Sequence, residues 1–315
     1  MENVQEGRHK SADPRGGGRL YAPKRTPSIR RPFDGTKLDR AYLQGFARGD
    51  LDFRRVSTLA IQVSTTTTHP DFVSLFTMLF RRYGPLYVYP CRDEVRGYRW
   101  KVAARVDNSL DFLVGEKMRP CPTFKSKGEF WSWLAGIIDS DGSVGVIHSG
   151  SYARLNLQVA NQDISLLGHI KSELIRAGFF PTGPYRNYEK GYETPSCHIR
   201  YNDDMRYLLL QRSADVRETL TLLPLRHKEK KRRKDLALRL PVHALWTKIG
   251  WQVESLREQT TGETDSYVRK AKEAFMLRKH KRRGESAISR LSRVSSLPQT
   301  NSRRSTTLRR ISPCR

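Results

Sequence analysis

The sequence is short of cysteine, of acidic residues and of long apolar segments. It has 4 cysteines in 315 residues, at positions 91, 121, 197 and 314. No two of them lie close enough along the chain to indicate a zinc site or a disulfide framework. The expected environment is therefore a reducing, intracellular one: the cytoplasm or nucleoid, or an organelle if the host is eukaryotic.

Apolar runs are too short to indicate a membrane protein. None approaches the roughly 20 residues that span a bilayer, and the N-terminal segment lacks the apolar centre of a secretory signal. We therefore expect no membrane-spanning segment. An organellar transit peptide stays open as an alternative for this basic segment, although Glu2, Glu6 and Asp13 are atypical of one.

Basic residues greatly outnumber acidic ones. The chain has 58 Lys and Arg against 32 Asp and Glu, a net charge of +26. Such a surplus implies a polyanionic partner, because neutralising phosphates releases counterions. Nucleic acid is the first candidate and an anionic membrane surface the second. Residues 1–35 are predicted to be a disordered basic arm, and residues 284–315, rich in Ser, Thr and Arg, a disordered basic tail.

Two similar segments indicate an internal repeat. Residues 59–63 (LAIQV) and 155–159 (LNLQV) both alternate like half-buried strands, 155 − 59 = 96 positions apart. Each is followed by an apolar helix pattern, a hairpin and a further predicted helix, at 110–114 and 205–209. The predicted fold is α+β, with pseudo-symmetric repeats at 36–122 and 123–240. A helical extension at 241–283 is expected to pack on the second repeat.

A helix is predicted to open each repeat. Apolar positions 130, 133, 134, 137 and 138 share one helix face, and the helix ends in the acidic segment 139–142 (DSDG). Gly142 suits a left-handed C-terminal cap. Acids are disfavoured at the negative end of a helix dipole, so this ending suggests a bound cation. Residues 43–51 (LQGFARGDL) are a weaker copy, preceded by the capping box of Thr36 and Asp39.

Residues 134–142 (LAGIIDSDG) closely resemble the motif of the LAGLIDADG homing endonucleases. The resemblance implies that two motif helices pack side by side through small residues, here Gly45, Ala135 and Gly136. It also implies that each half presents a saddle of antiparallel strands to the major groove of DNA. Asp50 and Asp141 would bind Mg²⁺ (or Mn²⁺) between the halves.

The metal site implied by the resemblance includes Gly49 and Ser140 as adjoining ligands. Two carboxylates about 4 Å apart repel by roughly 4 kcal/mol at an effective dielectric of 20, and a divalent cation reverses that balance. Hard oxygen ligands suit Mg²⁺. The first motif departs from the pattern, with Arg48 in place of Asp139 and Leu51 in place of Gly142. The departure puts the turn geometry and full cleavage activity in question.

Basic residues close to the site are expected to assist the chemistry. Residues 223–234 (LPLRHKEKKRRK), which close the second repeat, resemble the lysine-bearing stretch that follows the last strand in the family. The resemblance makes Lys228 the first candidate and Lys230 the second. In the first repeat Lys117, Lys125 and Lys127 stay open as counterparts. A solvated contact with phosphate is the alternative role for each of them.

Strand side chains are the expected DNA readers. Gln62 and Gln158 occupy equivalent strand positions, and glutamine can pair with adenine through two hydrogen bonds. Arginine and lysine can read guanine or hold phosphate, and the sequence does not separate these roles. The remaining candidates are Arg54, Arg55, Arg99, Lys101 and Arg105 in the first repeat, and Arg154, Arg186, Lys190 and Arg200 in the second.

Together these features predict a monomeric, metal-dependent DNA endonuclease that cuts both strands of a long, asymmetric target. A free-standing reading frame carried by an intron is expected. Two alternatives stay open: a splicing maturase, whose partner would be intron RNA, and a DNA-binding regulator without catalytic activity on the same fold.

Overall fold

The protein consists of two α+β repeats followed by a helical extension. The computed structural model describes residues 29–94, 97–194 and 200–295, with side chains as far as Lys279. The first repeat contains α1 (Lys37–Ala47), β1 (Asp52–Ser57), β2 (Ala60–Thr67), α2 (Pro70–Phe80), β3 (Leu86–Asp93) and β4 (Gly97–Asp107). The second contains α3 (Lys127–Asp141), β5 (Gly142–Ser149), β6 (Tyr152–Asn161), α4 (Ile164–Arg176), β7 (Thr182–Tyr188), β8 (Met205–Leu210) and α5 (Ser213–Leu222). Helices α6 (Lys228–Arg239) and α7 (Trp246–Ser295) follow, and short 3₁₀ turns span Arg81–Tyr83, Asn108–Leu113 and Glu116–Met118.

The two sheets have the same topology. Each has four antiparallel strands, in the orders β1-β2-β4-β3 and β5-β6-β8-β7. Alternate side chains of β2, such as Ile61 and Val63, are buried, and Leu155 and Leu157 are buried in the same way on β6. A single cluster of buried apolar side chains includes residues of both repeats. The predicted fold of two pseudo-symmetric α+β repeats is therefore confirmed.

Local sequence signals place the motif helices correctly. The Thr36 side chain accepts a hydrogen bond from the backbone N–H of Asp39, and the Asp39 carboxylate accepts one from the backbone N–H of Thr36. The predicted capping box therefore forms at the N-terminus of α1. Ser126 caps α3 by accepting from the backbone of Glu129. Gly142 differs from the prediction: its φ is −87°, so it begins β5 in extended backbone instead of forming a left-handed cap.

One predicted helix is wrong. Residues 205–209 lie in strand β8, where Leu208 pairs with Val159 and Leu210 pairs with Leu157. A short apolar run fits a buried strand or a buried helix equally well, and pairing with β6 decides between them. The helical counterpart of the 3₁₀ turn at Asn108–Leu113 is α5, which begins at Ser213.

Helix α7 contacts the second repeat, as the sequence predicts, and it contacts the first repeat as well. At its start the Trp246 ring stacks on His148, with ring centroids 4.8 Å apart. Farther along, Trp100 Nε1 donates to the carbonyl of Tyr267 at 3.0 Å. The helix thus connects β5 with β4 and fastens the second repeat to the first.

The predicted ends of the folded region also shift. Phe33, expected in the disordered arm, packs on Tyr83 and Phe112 with ring centroids 5.6 and 5.4 Å apart. Helix α7 runs to Ser295, beyond the expected start of the tail at residue 284. Residues 1–28 and 296–315 lie outside the described residues. Among the described helices, none is long and apolar enough to cross a bilayer.

Candidate active site

Helices α1 and α3 pack side by side along a seam, and at two positions of the seam they are so close that only glycine fits. A Cβ atom added at Gly45 would lie 1.9 Å from the carbonyl oxygen of Trp133, and one added at Gly136 would lie 2.1 Å from the carbonyl oxygen of Tyr42. These partners are backbone atoms, so no side-chain rotation could relieve the clash. Two of the small residues predicted to join the helices, Gly45 and Gly136, do so, and Ala135 is fully buried in the same helix.

The C-terminal ends of the two helices are also in contact. A Cβ at Gly49 would lie 2.2 Å from Oγ of Ser140 and 2.7 Å from Oδ1 of Asp141. Asp50 follows immediately and lines the same cleft as Asp141, a depression of about 560 Å³. Asp50 also lines a second cleft, of about 350 Å³, on the other side of the seam. The structure thus brings the two motif aspartates together.

Asp141 is the electrostatically strained member of the pair. Burial and then the negative charge of Asp50 raise the pKa of the Asp141 carboxyl to about 7. Lys230, Lys117 and a hydrogen bond from Asn161 act in the opposite direction. Asn161 Nδ2 donates to Asp141 Oδ2 at 3.0 Å. Without a cation, Asp141 is therefore about half protonated near neutral pH.

Asn161 was not predicted as a site residue. The offset of 96 between the repeats could have identified it, because it pairs two polar residues near the ends of equivalent strands. The same offset places Thr65 at the equivalent position of the first repeat, and Thr65 lines the smaller cleft beside Asp50. One polar side chain from the second strand of each sheet therefore faces the seam, at the base of each half of the site.

The donor set fits a hard divalent cation held by few protein ligands. Among the described residues, no group of three or more His, Cys, Asp and Glu is arranged to hold a metal. Asp50 and Asp141 supply two carboxylates, and Gly49 can add a backbone carbonyl. The hydroxyl of Ser140 donates to the carbonyls of Gly136 and Ile137, which leaves its own carbonyl as the available atom. Mg²⁺ commonly completes such a set with water and substrate phosphate.

Lys230 lies at the site, whereas Lys228 does not. Lys230 Nζ donates to the carbonyls of Ile138 at 2.5 Å and Asp139 at 2.9 Å, at the negative end of α3, and lines the smaller cleft with Asp50. Burial lowers the pKa of Lys230, and nearby carboxylates act against this shift. Lys228 is exposed at the start of α6. The structure thus favours the second lysine candidate over the first.

Of the three first-repeat lysine candidates, Lys117 is the one that lies beside the two aspartates. It lines the larger cleft with Asp50 and Asp141, opposite the cleft of Lys230. Lys127 begins α3, and Asp141 ends that 15-residue helix. At 1.5 Å per residue the two are separated by about 20 Å, so Lys127 and the neighbouring Lys125 belong to the far end. The sequence could not choose among these three because their distances depend on the fold.

The comparisons with known proteins yield partial matches among solved structures. No family model and no curated protein matches the chain. The homing endonuclease I-WcaI bound to its DNA recognition sequence is similar over 63% of this chain and 86% of that chain, with 14% identity and a TM-score of 0.42. I-DmoI in complex with DNA and Mn is similar over 60% of this chain and 98% of that chain, with 14% identity and a TM-score of 0.37. The LAGLIDADG homing endonuclease I-GzeII in complex with its DNA target is similar over 74% of this chain and 96% of that chain, with 11% identity and a TM-score of 0.34. None of these likenesses is strong enough to assign a function.

A row of polar side chains crosses the first sheet on the face opposite the core. Arg54 pairs with Gln62, which pairs with Arg105, and paired residues project from the same face of a sheet. By strand alternation Lys101 and Arg99 share that face, although Arg99 is engaged by Asp93 at 2.8 Å. The remaining first-repeat candidate differs from the others. Arg55 projects to the opposite face and forms an ion pair with Asp111.

The second sheet has a comparable row with different residues. Gln158 pairs with Ser143, and Arg154 pairs with Ile147, on the face opposite buried Leu157. Arg186 forms an ion pair with Glu189 at 3.1 Å. Lys190 is exposed two residues after the end of β7, and Arg200 lines the larger cleft. Arg154 and Gln158 thus lie on the polar face of the second sheet. Arg186 does not, because it pairs with Arg206, which pairs with Asn161 on the other face.

Proposed function

We propose that this chain is a site-specific DNA endonuclease of the LAGLIDADG homing type that cuts both strands with divalent metal bound by Asp50 and Asp141. The observation that carries the proposal is the meeting of these two carboxylates at the end of a glycine-lined helix seam. Burial and mutual repulsion make the bare pair unfavourable, as the raised pKa of Asp141 indicates. A bound cation removes this penalty, and a folded chain retains such a pair most readily for that purpose.

The position of the seam suits cleavage of a duplex. It lies between the two sheets, so DNA that contacts both polar rows would place its central phosphates over the aspartates. Bound divalent metal would stabilise charge on the attacked phosphate and lower the pKa of a water molecule. Asp50 and Asp141 would hold such a metal, and Lys117 and Lys230 bring positive charge from the two clefts. Asp50 lines both clefts and Asp141 lines the larger one, so each cleft offers a carboxylate and a lysine to one scissile phosphate.

The unequal sheets support a monomer on an asymmetric target. The first polar row contains Arg54, Gln62 and Arg105, and the second contains Arg154 and Gln158. Because both halves belong to one chain, a second copy is not needed to complete the site. Different side chains at matching positions would read different bases in the two half-sites.

Cleavage of a plasmid that carries the uninterrupted host allele tests the proposal. The full chain is incubated with Mg²⁺ or Mn²⁺ and compared with the variants Asp50→Asn and Asp141→Asn. Asp265→Asn is the control, because Asp265 is an exposed residue of α7. We expect wild type and the control to cut both DNA strands, and the two site variants to bind without cutting. Tight binding by wild type without nicking in either metal would refute the proposal and favour a non-catalytic regulator. Loss of intron splicing, with no DNA cutting, would favour the maturase.

A further inference from the structure

The two motifs differ in charge at one buried position. Arg48 in the first motif stands where the second has Asp139, and the two residues are 5% and 0% exposed. A buried arginine in place of a buried aspartate cannot make the same contacts. The contacts of each therefore show what this position does in its own repeat.

Asp139 holds the segment that leads into α6. Its Oδ2 accepts hydrogen bonds from the backbone N–H groups of Arg226 at 2.6 Å and His227 at 3.1 Å. It also accepts from the Tyr42 hydroxyl at 2.7 Å, across the helix seam. Lys230 lies three residues farther along the anchored segment. The end of α3 thus fixes the backbone that carries one of the two lysines.

Arg48 makes the corresponding contacts with reversed polarity. Its Nη2 donates to the backbone carbonyls of Arg119 at 3.0 Å and Pro120 at 2.9 Å. The same nitrogen donates to Oε1 of Glu116 at 3.2 Å. Where the carboxylate of Asp139 accepts from backbone N–H groups, the guanidinium of Arg48 donates to backbone carbonyls. The end of α1 thus fixes the segment that carries the other lysine, Lys117.

The ion pair is well buried. The side chains of Arg48 and Glu116 are 2% and 3% exposed. Burial raises the pKa of Glu116, and the charge of Arg48 acts against this shift. Removing one partner of a buried pair leaves an uncompensated charge, which is strongly destabilising. Arg119 also faces Glu116, 3.7 Å from the other carboxylate oxygen, but it is half-exposed, so solvent weakens this second ion pair.

Glu116 and Lys117 are neighbours that point in opposite directions. They open a short 3₁₀ turn after Gly115, whose φ of +72° is accessible mainly to glycine. Glu116 is buried against Arg48, whereas Lys117 is exposed and lines the cleft with Asp50 and Asp141. Fixing the first side chain therefore fixes the direction of the second.

We propose that the buried Arg48–Glu116 pair is a positioning latch that holds Lys117 over the aspartates and thereby supports cleavage of one particular DNA strand. This inference rests on the proposed endonuclease function. The substitution of arginine for aspartate in the first motif is then a repeat-specific solution to the same positioning problem, and full cleavage activity is compatible with it.

Strand-resolved cleavage of an end-labelled target duplex tests the latch. The variants Glu116→Gln and Arg48→Met are compared with Lys117→Met and Lys230→Met, and Asp111→Asn, from an exposed ion pair, is the control. We expect Lys117→Met and both latch variants to slow cleavage of the same DNA strand by about 10- to 100-fold relative to the other. Lys230→Met should instead slow cleavage of the other DNA strand, and the control should slow neither strand relative to the other. Equal slowing of both strands by the latch variants would overturn the proposal.

Amide hydrogen exchange on the metal-free protein gives a second readout that does not need activity. Loss of the latch should speed exchange in residues 116–119 and leave residues 226–230 near the wild-type rate. The charge-reversed double variant, Arg48→Glu with Glu116→Arg, should restore part of the protection from exchange that each single change removes. If wild type does not cut DNA, the proposed function fails while this measurement still judges the latch. Unchanged exchange in residues 116–119 would overturn the latch.

Discussion

The carbonyl oxygen of Trp133 occupies the space where Gly45 would carry a Cβ atom. The separation would be 1.9 Å, and Gly136 stands in the same relation to the carbonyl of Tyr42 at 2.1 Å. Alanine at either position should force the helices apart and destabilise the protein by about 1–3 kcal/mol or more. Urea denaturation measures this loss, and cleavage should fall with it because the aspartates lie at the end of the same seam.

Gly168 in α4 provides the matched control for the seam glycines. A Cβ there would meet nothing within 4 Å. Because alanine is the better helix former, Gly168→Ala should be neutral or stabilise by up to about 1 kcal/mol. If Gly45→Ala proved as stable as Gly168→Ala, the close approach of the two helices would be refuted.

The sequence was most informative where structure is decided locally. The Thr36 capping box and the alternation of buried residues around Ile61 depend on near neighbours, and both are found as predicted. Residues 205–209 could not be assigned correctly because pairing with β6 makes them a strand. At Gly142 an added Cβ would lie 2.6 Å from Cα of Ile138, four residues earlier, so glycine is needed where α3 turns into β5 and not for a left-handed cap.

The site was only half predictable for the same reason. The nine-residue motif and its weaker copy identify Asp50 and Asp141 through their positions alone. The role of Lys117 depends on which residues face a cleft, and that of Arg48 on a contact with Glu116, 68 positions away. No local pattern encodes such distances, so the lysine alternatives and the altered motif position required the fold.

The metal-free protein should become less stable as pH rises from about 4 to about 7. The pKa of Asp141 is raised from 3.8 to about 7 in the folded state. The folded chain therefore binds more protons than the unfolded chain in this window, and the free energy of unfolding decreases with pH. The loss is at most about 4 kcal/mol, from three pH units at 1.36 kcal/mol each. Thermal unfolding in EDTA at several pH values measures it.

Asp141→Asn isolates this effect from other titrations. The variant removes the ionisable group, so its stability should exceed that of wild type at pH 8 and approach it at pH 4. Added Mg²⁺ should stabilise wild type at pH 8 and leave the variant nearly unchanged. A constant difference between the two proteins across the pH range would show that Asp141 does not titrate as described.

Arg54 and Arg55 are adjacent on β1 but project from opposite faces of the sheet. Arg54 belongs to the polar row with Gln62, and Arg55 is engaged by Asp111. Arg54→Ala should weaken binding to the target duplex by about 1–3 kcal/mol, and Arg55→Ala by less than about 0.5 kcal/mol. Fluorescence anisotropy at two salt concentrations measures both. Equal losses would mean that DNA does not lie on the proposed face.

Arg232 on α6 joins three helices, and its loss should loosen the connection between the repeats. Its guanidinium donates to Asp71 of α2 at 2.8 Å and to both carboxylate oxygens of Glu263 on α7, at 3.0 and 2.9 Å. Arg232→Met should therefore reduce the free energy of unfolding by about 1–3 kcal/mol, as expected for charge-assisted bonds. Arg257→Met, which breaks an exposed pair within α7, should change it by less than about 0.5 kcal/mol. Similar urea midpoints for the two variants would show that Arg232 does not brace the repeats.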